Sequence, residues 1–361
     1  MSNFETEITK KSKEMLFKDG ITLLNYTVQT LNNPIISLSL IPYIALYCRS
    51  AQEYLGEAIL SDSVDSQIND LRNGLKLYSG KYNVGKTATL GVDESQNEYF
   101  RNKLRLSYMK KRNVHYNLGV FFDEKGHIIG NTQNIRFFLD LPNIDKKTEK
   151  EKCIELGRIL GCKLMEIVNK YVDEDVVLEQ TGVNIKIGYY DLNTNRKETF
   201  FRKTRDKEIN LIILHILSSI GFMEYVLGRT IPKDNLWLLR IKYVVLHYAW
   251  IGLKKMKQHF EQTDKGGIEE YVAELIEEGK IFFSSKFRNC MMHYNLFDKN
   301  GKSTILQEYY DEEIPLYGLV ESCFEGKSWN TFFDDLDNYS KQIEDCLNTW
   351  FKINRNKIKF I

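Results

Sequence analysis

One pattern is written twice in this chain, and it narrows the possible folds more than any bulk property does. "RNVHYNLGVFFDEKG" begins at Arg112 and "RNCMMHYNLFDKNG" begins at Arg288. Arg-Asn, His-Tyr-Asn-Leu and Phe-Asp-x-x-Gly recur in the same order. In the second copy three residues separate the Arg-Asn pair from the histidine, whereas in the first only Val114 does. A pattern of this length, set late in the third helical segment of each half, points to duplication of one helical unit.

The flanking sequence fits that reading. Only five prolines occur in 361 residues, and apolar residues recur at helical spacing. Ile8, Met15, Leu16, Ile21, Leu23, Leu24 and Val28 mark a helix over 8–31, ahead of Asn33-Pro34, and a more apolar helix follows over 35–60. "QINDLRNGLKL" predicts a short helix leading into a Gly-rich loop. Residues 93–116 read as a helix capped by Asp93 or Ser95, followed by a β-like segment turning at Gly126 and a strong helix over 148–172. The second half offers helices over 207–229, 235–260, 267–294 and 329–351. Between the halves, alternating Val183, Ile185, Ile187 and Tyr189, a turn at "DLNTN" and then Thr199 to Phe201 predict a β-hairpin. The expected fold is mainly α: two four-helix bundles with short β-hairpin insertions, divided as 1–175, a hairpin connector at 176–206, and 207–361.

Composition bounds the function classes. Hydrophobic content of 43% and charged content of 27% describe a globular chain, and 50 basic against 49 acidic residues leave no molecule-wide field for nucleic acid. An RNA binder with this balance relies on a local basic cleft. "MKKRN" at 109–113, "LKKMK" at 253–257 and "KINRNKIKF" at 352–360 are the basic runs, each read first as a solvated face. Six scattered cysteines without a C-x-x-C pair predict reduced thiols. The charged N-terminus is unlike a signal peptide, and "PIISLSLIPYIALYC" and "LIILHILSSIGFMEYVLG" read as buried core helices, so a cytoplasmic protein without membrane partners is the expectation.

The second copy carries the chemistry. Arg288, Asn289 and His293 form an R-N-x-x-x-H motif near a helix end. It resembles the signature of the HEPN superfamily, named for higher eukaryotes and prokaryotes nucleotide-binding, at motif level over 288–293 and as a helix pattern over about 207–352. Many members are metal-independent ribonucleases of toxin–antitoxin, abortive-infection and CRISPR-associated systems. Such cleavage needs a group that exchanges protons near neutrality, which suits histidine, and directed positive charge on the phosphorane oxygens, which suits arginine. Asn289 and His293, four residues apart, share a helix face; Arg288 lies about 140° around from His293 but has a long side chain.

The resemblance further implies no cofactor and no metal. It implies RNA as partner, control by an antitoxin or regulatory protein, and a site shared by two paired domains. The pairing is either between the two halves of this chain or across a homodimer. In the first half Lys110 stands where Arg288 does when the histidines are aligned, so that copy looks degenerate, with Lys110 and His115 as second-half-site candidates. Lys111, Arg112, Tyr116 and Tyr294 are the expected substrate contacts. Tyr294 follows the histidine directly, unlike the offset tyrosine of the toxin subgroup silenced by nucleotide transfer. A non-catalytic module binding RNA or a protein partner is the alternative, with the motif as a helix end and its turn.

"GKYNVGKT", from Gly80 to Thr87, matches a phosphate loop letter for letter. A working loop of this kind needs a buried strand before it and a helix opening at Lys-Thr, within a βαβ series. No such series surrounds it, so a flexible loop between helices is expected. His215 and His247 lie in apolar helices and read as core residues.

Overall fold

A computed structural model describes residues 3–56, 62–76, 78–104, 115–138, 146–171, 183–196, 200–201, 206–263 and 270–360. Helix α1 (Asn3–Gln29) and helix α2 (Pro34–Leu55) form an opening pair. The Asn33 side chain accepts from the Ile36 amide at 3.2 Å, and Pro34 occupies the first helical position, where its missing N–H costs nothing. Helix α2 ends at Gly56 in the left-handed conformation (φ 66°). Helices α3 (Asp62–Leu75) and α4 (Tyr82–Asn102) follow, then strands β1 (Leu118–Phe122) and β2 (Ile128–Asn131) and helices α5 (Thr132–Phe138) and α6 (Lys146–Tyr171). Strand β3 (Gly188–Leu192) precedes α7 (Lys207–Phe222), which continues through a π-turn, Met223–Leu227, to Thr230. The chain closes with α8 (Leu236–Thr263), α9 (Glu270–Glu278), α10 (Ser285–His293), α11 (Leu319–Cys323), α12 (Trp329–Asn348) and β4 (Lys359–Phe360).

The protein is therefore mainly helical, with a small antiparallel sheet in the order β2-β1-β3-β4 among the described residues. The hairpin expected over 183–203 takes a different form. Strand β3 pairs with β1, placing Leu118 opposite Leu192 and Phe122 opposite Gly188, and on its other edge with β4. Phe201 instead bridges to Phe351. The alternation that suggested a hairpin is that of a central strand, and alternation alone does not name its partner. The expected connector thus joins first-half strand β1 to C-terminal strand β4. Helix α7 lies against β2 at Gly221, where a Cβ would fall 1.8 Å from the Ile128 carbonyl oxygen. Any larger residue there would push the helix off the sheet.

One hydrophobic core runs from Ile8 to Phe351. First-half helix α1 packs on α8, and α2 packs on α10. Helix α2, the α7 segment to Thr230 and α8 each have the length and apolarity of a membrane span, and 72%, 78% and 78% of their most apolar windows are buried inside the protein. All six cysteines are free thiols.

The duplicated Phe-Asp-x-x-Gly segments make the same turn. Asp123 Oδ1 accepts from the amides of Lys125 and His127, and Asp298 Oδ1 accepts from those of Asn300 and Lys302. Gly126 and Gly301 each donate to the aspartate carbonyl and sit at φ 87° and 75°, which only glycine adopts freely. In the first copy the turn joins β1 to β2; in the second it joins the single bridge Phe297 to Ser303.

The GKYNVGKT segment is not a loop. Helix α4 begins at Tyr82, eleven residues before the expected start at Asp93, and Lys86 pairs with Glu208 of α7 at 2.6 Å. A helix here leaves no cradle of convergent amides for phosphate. Asp93 is not a cap but a buried residue inside α4: it accepts from Gln133 at 2.8 Å and Asn117 at 3.2 Å and pairs with Lys207. Gln133 also accepts from His215 Nε2 at 3.1 Å, and Tyr78 hydrogen-bonds the other ring nitrogen. This network ties α4 and α5 to α7.

Candidate active site at the meeting of the two halves

Helix α10 carries the R-N-x-x-x-H motif. Ser284 caps its start by accepting from the Phe287 amide at 3.1 Å, and Phe287, Cys290 and Met291 turn into the core. Helix α10 ends at His293 because Tyr294 adopts φ 55°, a left-handed conformation that costs a residue with a Cβ. That cost is offset by burial: Tyr294 is 1% exposed, its hydroxyl donates to Asp19 Oδ2 at 2.7 Å, and the Arg240 guanidinium lies 4.0 Å above its ring.

Arg240 of α8 does the remaining capping. Its Nη1 donates to the Cys290 carbonyl at 3.1 Å and also to that of Met291, satisfying acceptors that a helix end leaves open. Its Nε donates to Asp19 Oδ2 at 2.6 Å, while Ser50 of α2 donates to the Met292 carbonyl. Burial pushes the Asp19 carboxyl up, and Arg240 and the Tyr294 hydroxyl oppose that rise. Two helices of the first half, α1 and α2, thereby fix the turn that presents His293.

The His293 side chain is 39% exposed, and its Nδ1 lies 2.9 Å from Glu53 Oε2 of α2. Burial alone would raise the Glu53 carboxyl, but the Arg49 hydrogen bond, His293 and Arg72 hold it below the ordinary glutamate value. An ionised carboxylate only accepts, so Nδ1 is the donor and the neutral ring carries its lone pair on Nε2. Arg49 Nε grips Glu53 Oε1 at 2.7 Å, with Arg72 of α3 at 3.7 Å. Burial and the neighbouring Arg72 and Arg288 charges pull Lys76 down to about 8, against the opposing pull of Glu53.

Arg288 donates through Nε and Nη2 to Asn289 Oδ1 at 3.2 and 2.6 Å. Asn289 and His293 both line a surface cavity of about 430 Å³, with Lys286, Asn295, Asp298 and Lys299 around its rim. Its far wall is the duplicated turn: amides of Asn300 and Lys302 hold the Asp298 carboxyl below its ordinary value. The arrangement offers a base at Nε2, the Arg288 guanidinium on the same helix held by Asn289, and the Lys286 and Lys299 ammonium groups at the cavity. That set can take a proton from a hydroxyl and steady an anionic phosphorus centre.

The expected site residues divide. Arg288, Asn289 and His293 share α10, and Asn289 and His293 share the cavity. Lys110, Lys111 and Arg112 lie outside the described residues. His115 does not complete the site: it stands at a bend before β1, buried, with Nε2 2.7 Å from Asn97 Oδ1 and its carbonyl accepting from Asn193. Burial, with Arg101 and Arg196 nearby, pushes its imidazole below the ordinary value. The first half contributes Glu53 to the surroundings of His293 instead. Tyr294 is a core residue whose hydroxyl is spent on Asp19, so it does not contact substrate. Tyr116 is 60% exposed and lines a different cavity.

Glu53, Arg49, Arg72, Lys76, Asp19 and Arg240 were not legible as site residues. A faint signal existed for two of them: Arg49 and Glu53, four apart, are charges in an otherwise apolar helix. Among the described residues no three His, Cys, Asp or Glu side chains are grouped to hold a metal ion. The chain matches no protein-family model, no curated protein and no solved structure.

Proposed function

We propose that this chain is a metal-independent endoribonuclease of the HEPN type, built from two HEPN-like helical halves, and that it works in the cytoplasm as a toxin or antiphage-defence effector. The observation that carries the reading is the Glu53–His293 contact at 2.9 Å, which leaves Nε2 as a base at the mouth of a cavity shared with Asn289. In this reaction Nε2 takes the proton of a ribose 2′-hydroxyl. The 2′-oxygen then bonds to phosphorus, the bond to the 5′-oxygen breaks, that oxygen takes a proton from water as it leaves, and Nε2 returns its own proton to water. Arg288 turns from Asn289 to the phosphorane oxygens, with Lys76 and Arg72 adding positive charge. A partner supplied by a second copy or by an antitoxin fits the exposure of the motif helix.

The second reading is a non-catalytic module that binds RNA or a protein partner. It is favoured by His115, whose ring is engaged by Asn97 and which does not line the cavity of His293, so the chain's own first half does not bring a second motif histidine there. Incubation of the full chain with RNA in EDTA, followed by analysis of the new 3′ ends, separates the two. Cyclic 2′,3′-phosphate ends support the nuclease; binding without cleavage supports the module.

A further inference from the structure

The outer edge of the sheet carries a second concavity, apart from the His293 cavity and sharing none of its lining residues. It measures about 370 Å³ and is bounded by Tyr116, Tyr189, Tyr190, Arg196, Lys357 and Lys359, with Asp191 between them. Its walls come from parts of the chain that only the sheet brings together. Tyr189 and Tyr190 belong to β3, Lys359 faces Tyr189 across the β3–β4 ladder, and Tyr116 immediately precedes the Asn117 amide that bonds Leu192.

Three properties of this concavity point to one ligand. Tyr116 leaves a large aromatic ring 60% exposed, which burial in a core would have removed. Lys359 and Lys357 hold their ammonium groups 6.0 and 5.9 Å from the Tyr189 and Tyr190 rings, so charge and π-face are presented together. Arg196, Lys357 and Lys359 are exposed and form no salt bridge among the described residues, against the one carboxylate of Asp191. Tyr190 also packs on Phe200, at 6.0 Å, which fixes the floor while Tyr116 stays accessible.

We propose that this sheet edge is a subsite for single-stranded RNA, in which Tyr116 stacks on an unpaired base while Arg196, Lys357 and Lys359 bind the flanking phosphates. The proposal rests on the reading of the chain as an RNA-acting protein and adds where the strand is held. Aromatic faces among exposed cations suit single strands, because every base has a π-face once it leaves a duplex. A duplex keeps its bases stacked and offers this concavity only phosphate.

The test uses the full chain carrying His293→Ala, so that RNA stays intact, and follows fluorescence anisotropy of short labelled oligoadenylate and oligouridylate. Tyr116→Ala is expected to weaken binding about tenfold, and Tyr116→Trp to retain it. Lys357→Ala with Lys359→Ala is expected to lower the slope of log affinity against log salt by about 1.4. Unchanged affinity in both, no binding by the parent, or equal binding of duplex RNA overturns the subsite. Cleavage by the wild type is scored separately. A chain that binds through Tyr116 without cutting keeps the subsite and loses the nuclease, whereas one that cuts while Tyr116→Ala binds normally loses the subsite alone.

Discussion

Glu53 Oε2 and His293 Nδ1 stand 2.9 Å apart across 240 residues of chain. The two halves therefore meet at the motif, with the first half supplying the carboxylate that sets the imidazole's tautomer. Replacing Glu53 by glutamine keeps the shape and removes the obligate acceptor. RNA cleavage by Glu53→Gln should fall roughly 100-fold while binding changes little, as expected when a histidine loses the group that orients it. Single-turnover rates measured beside affinities check this; an equal loss of both would point to misfolding.

Asp19 and Arg240 form a buried pair that caps α10 and holds Tyr294 in its left-handed turn. Removing one partner leaves the other charge unpaired in the core. Asp19→Ala and Arg240→Ala should each cost about 3–5 kcal/mol, read from denaturant midpoints. The double variant should cost less than the sum, since the second change relieves the charge stranded by the first.

Acid should destabilise the protein in a defined window. Burial pulls His215 down to about 3, and burial with the Arg288 charge pulls His247 down to about 4. In the unfolded chain both titrate near 6.5, so between pH 6.5 and those values the unfolded state binds more protons. Stability then falls as pH falls, by up to about 1.4 kcal/mol per pH unit for each histidine. His215→Gln, which keeps a polar partner for Tyr78, should start less stable and show a shallower decline in thermal melts from pH 6.5 to pH 4.

Lys76 gives a pH dependence of the opposite sense. With its ammonium held down to about 8, it loses charge as pH rises through that value, and RNA affinity should weaken with it. Lys76→Arg, which stays protonated, should bind RNA with a flat profile between pH 7 and pH 9 in anisotropy titrations.

The helices were legible because their signals are local. Asn33-Pro34 and the apolar spacing from Ile8 to Val28 each act within a turn or two of chain, whereas the Ser284 cap, which divides the single helix expected over 267–294 into Glu270–Glu278 and Ser285–His293, went unread. Strand pairing was not legible, since nothing near Tyr189 says that its neighbours are Phe121 and Lys359. The Asp123 and Asp298 turns were visible as a repeat, and their glycines explain the spacing. At the site, Arg288, Asn289 and His293 announce themselves by motif, whereas Glu53, Asp19 and Arg240 are ordinary charges until the fold carries α1 and α2 onto the end of α10. GKYNVGKT shows the converse: a complete motif disarmed by a helix that starts too early.

The most direct test is the initial rate of RNA cleavage in EDTA by wild type, His293→Ala and Arg288→Ala, with each variant's fold checked by its thermal melt. The proposed chemistry predicts cyclic 2′,3′-phosphate ends from the wild type and a loss of at least about 100-fold in both variants. Wild-type turnover in folded His293→Ala, or no cleavage by the wild type on any RNA, would contradict it.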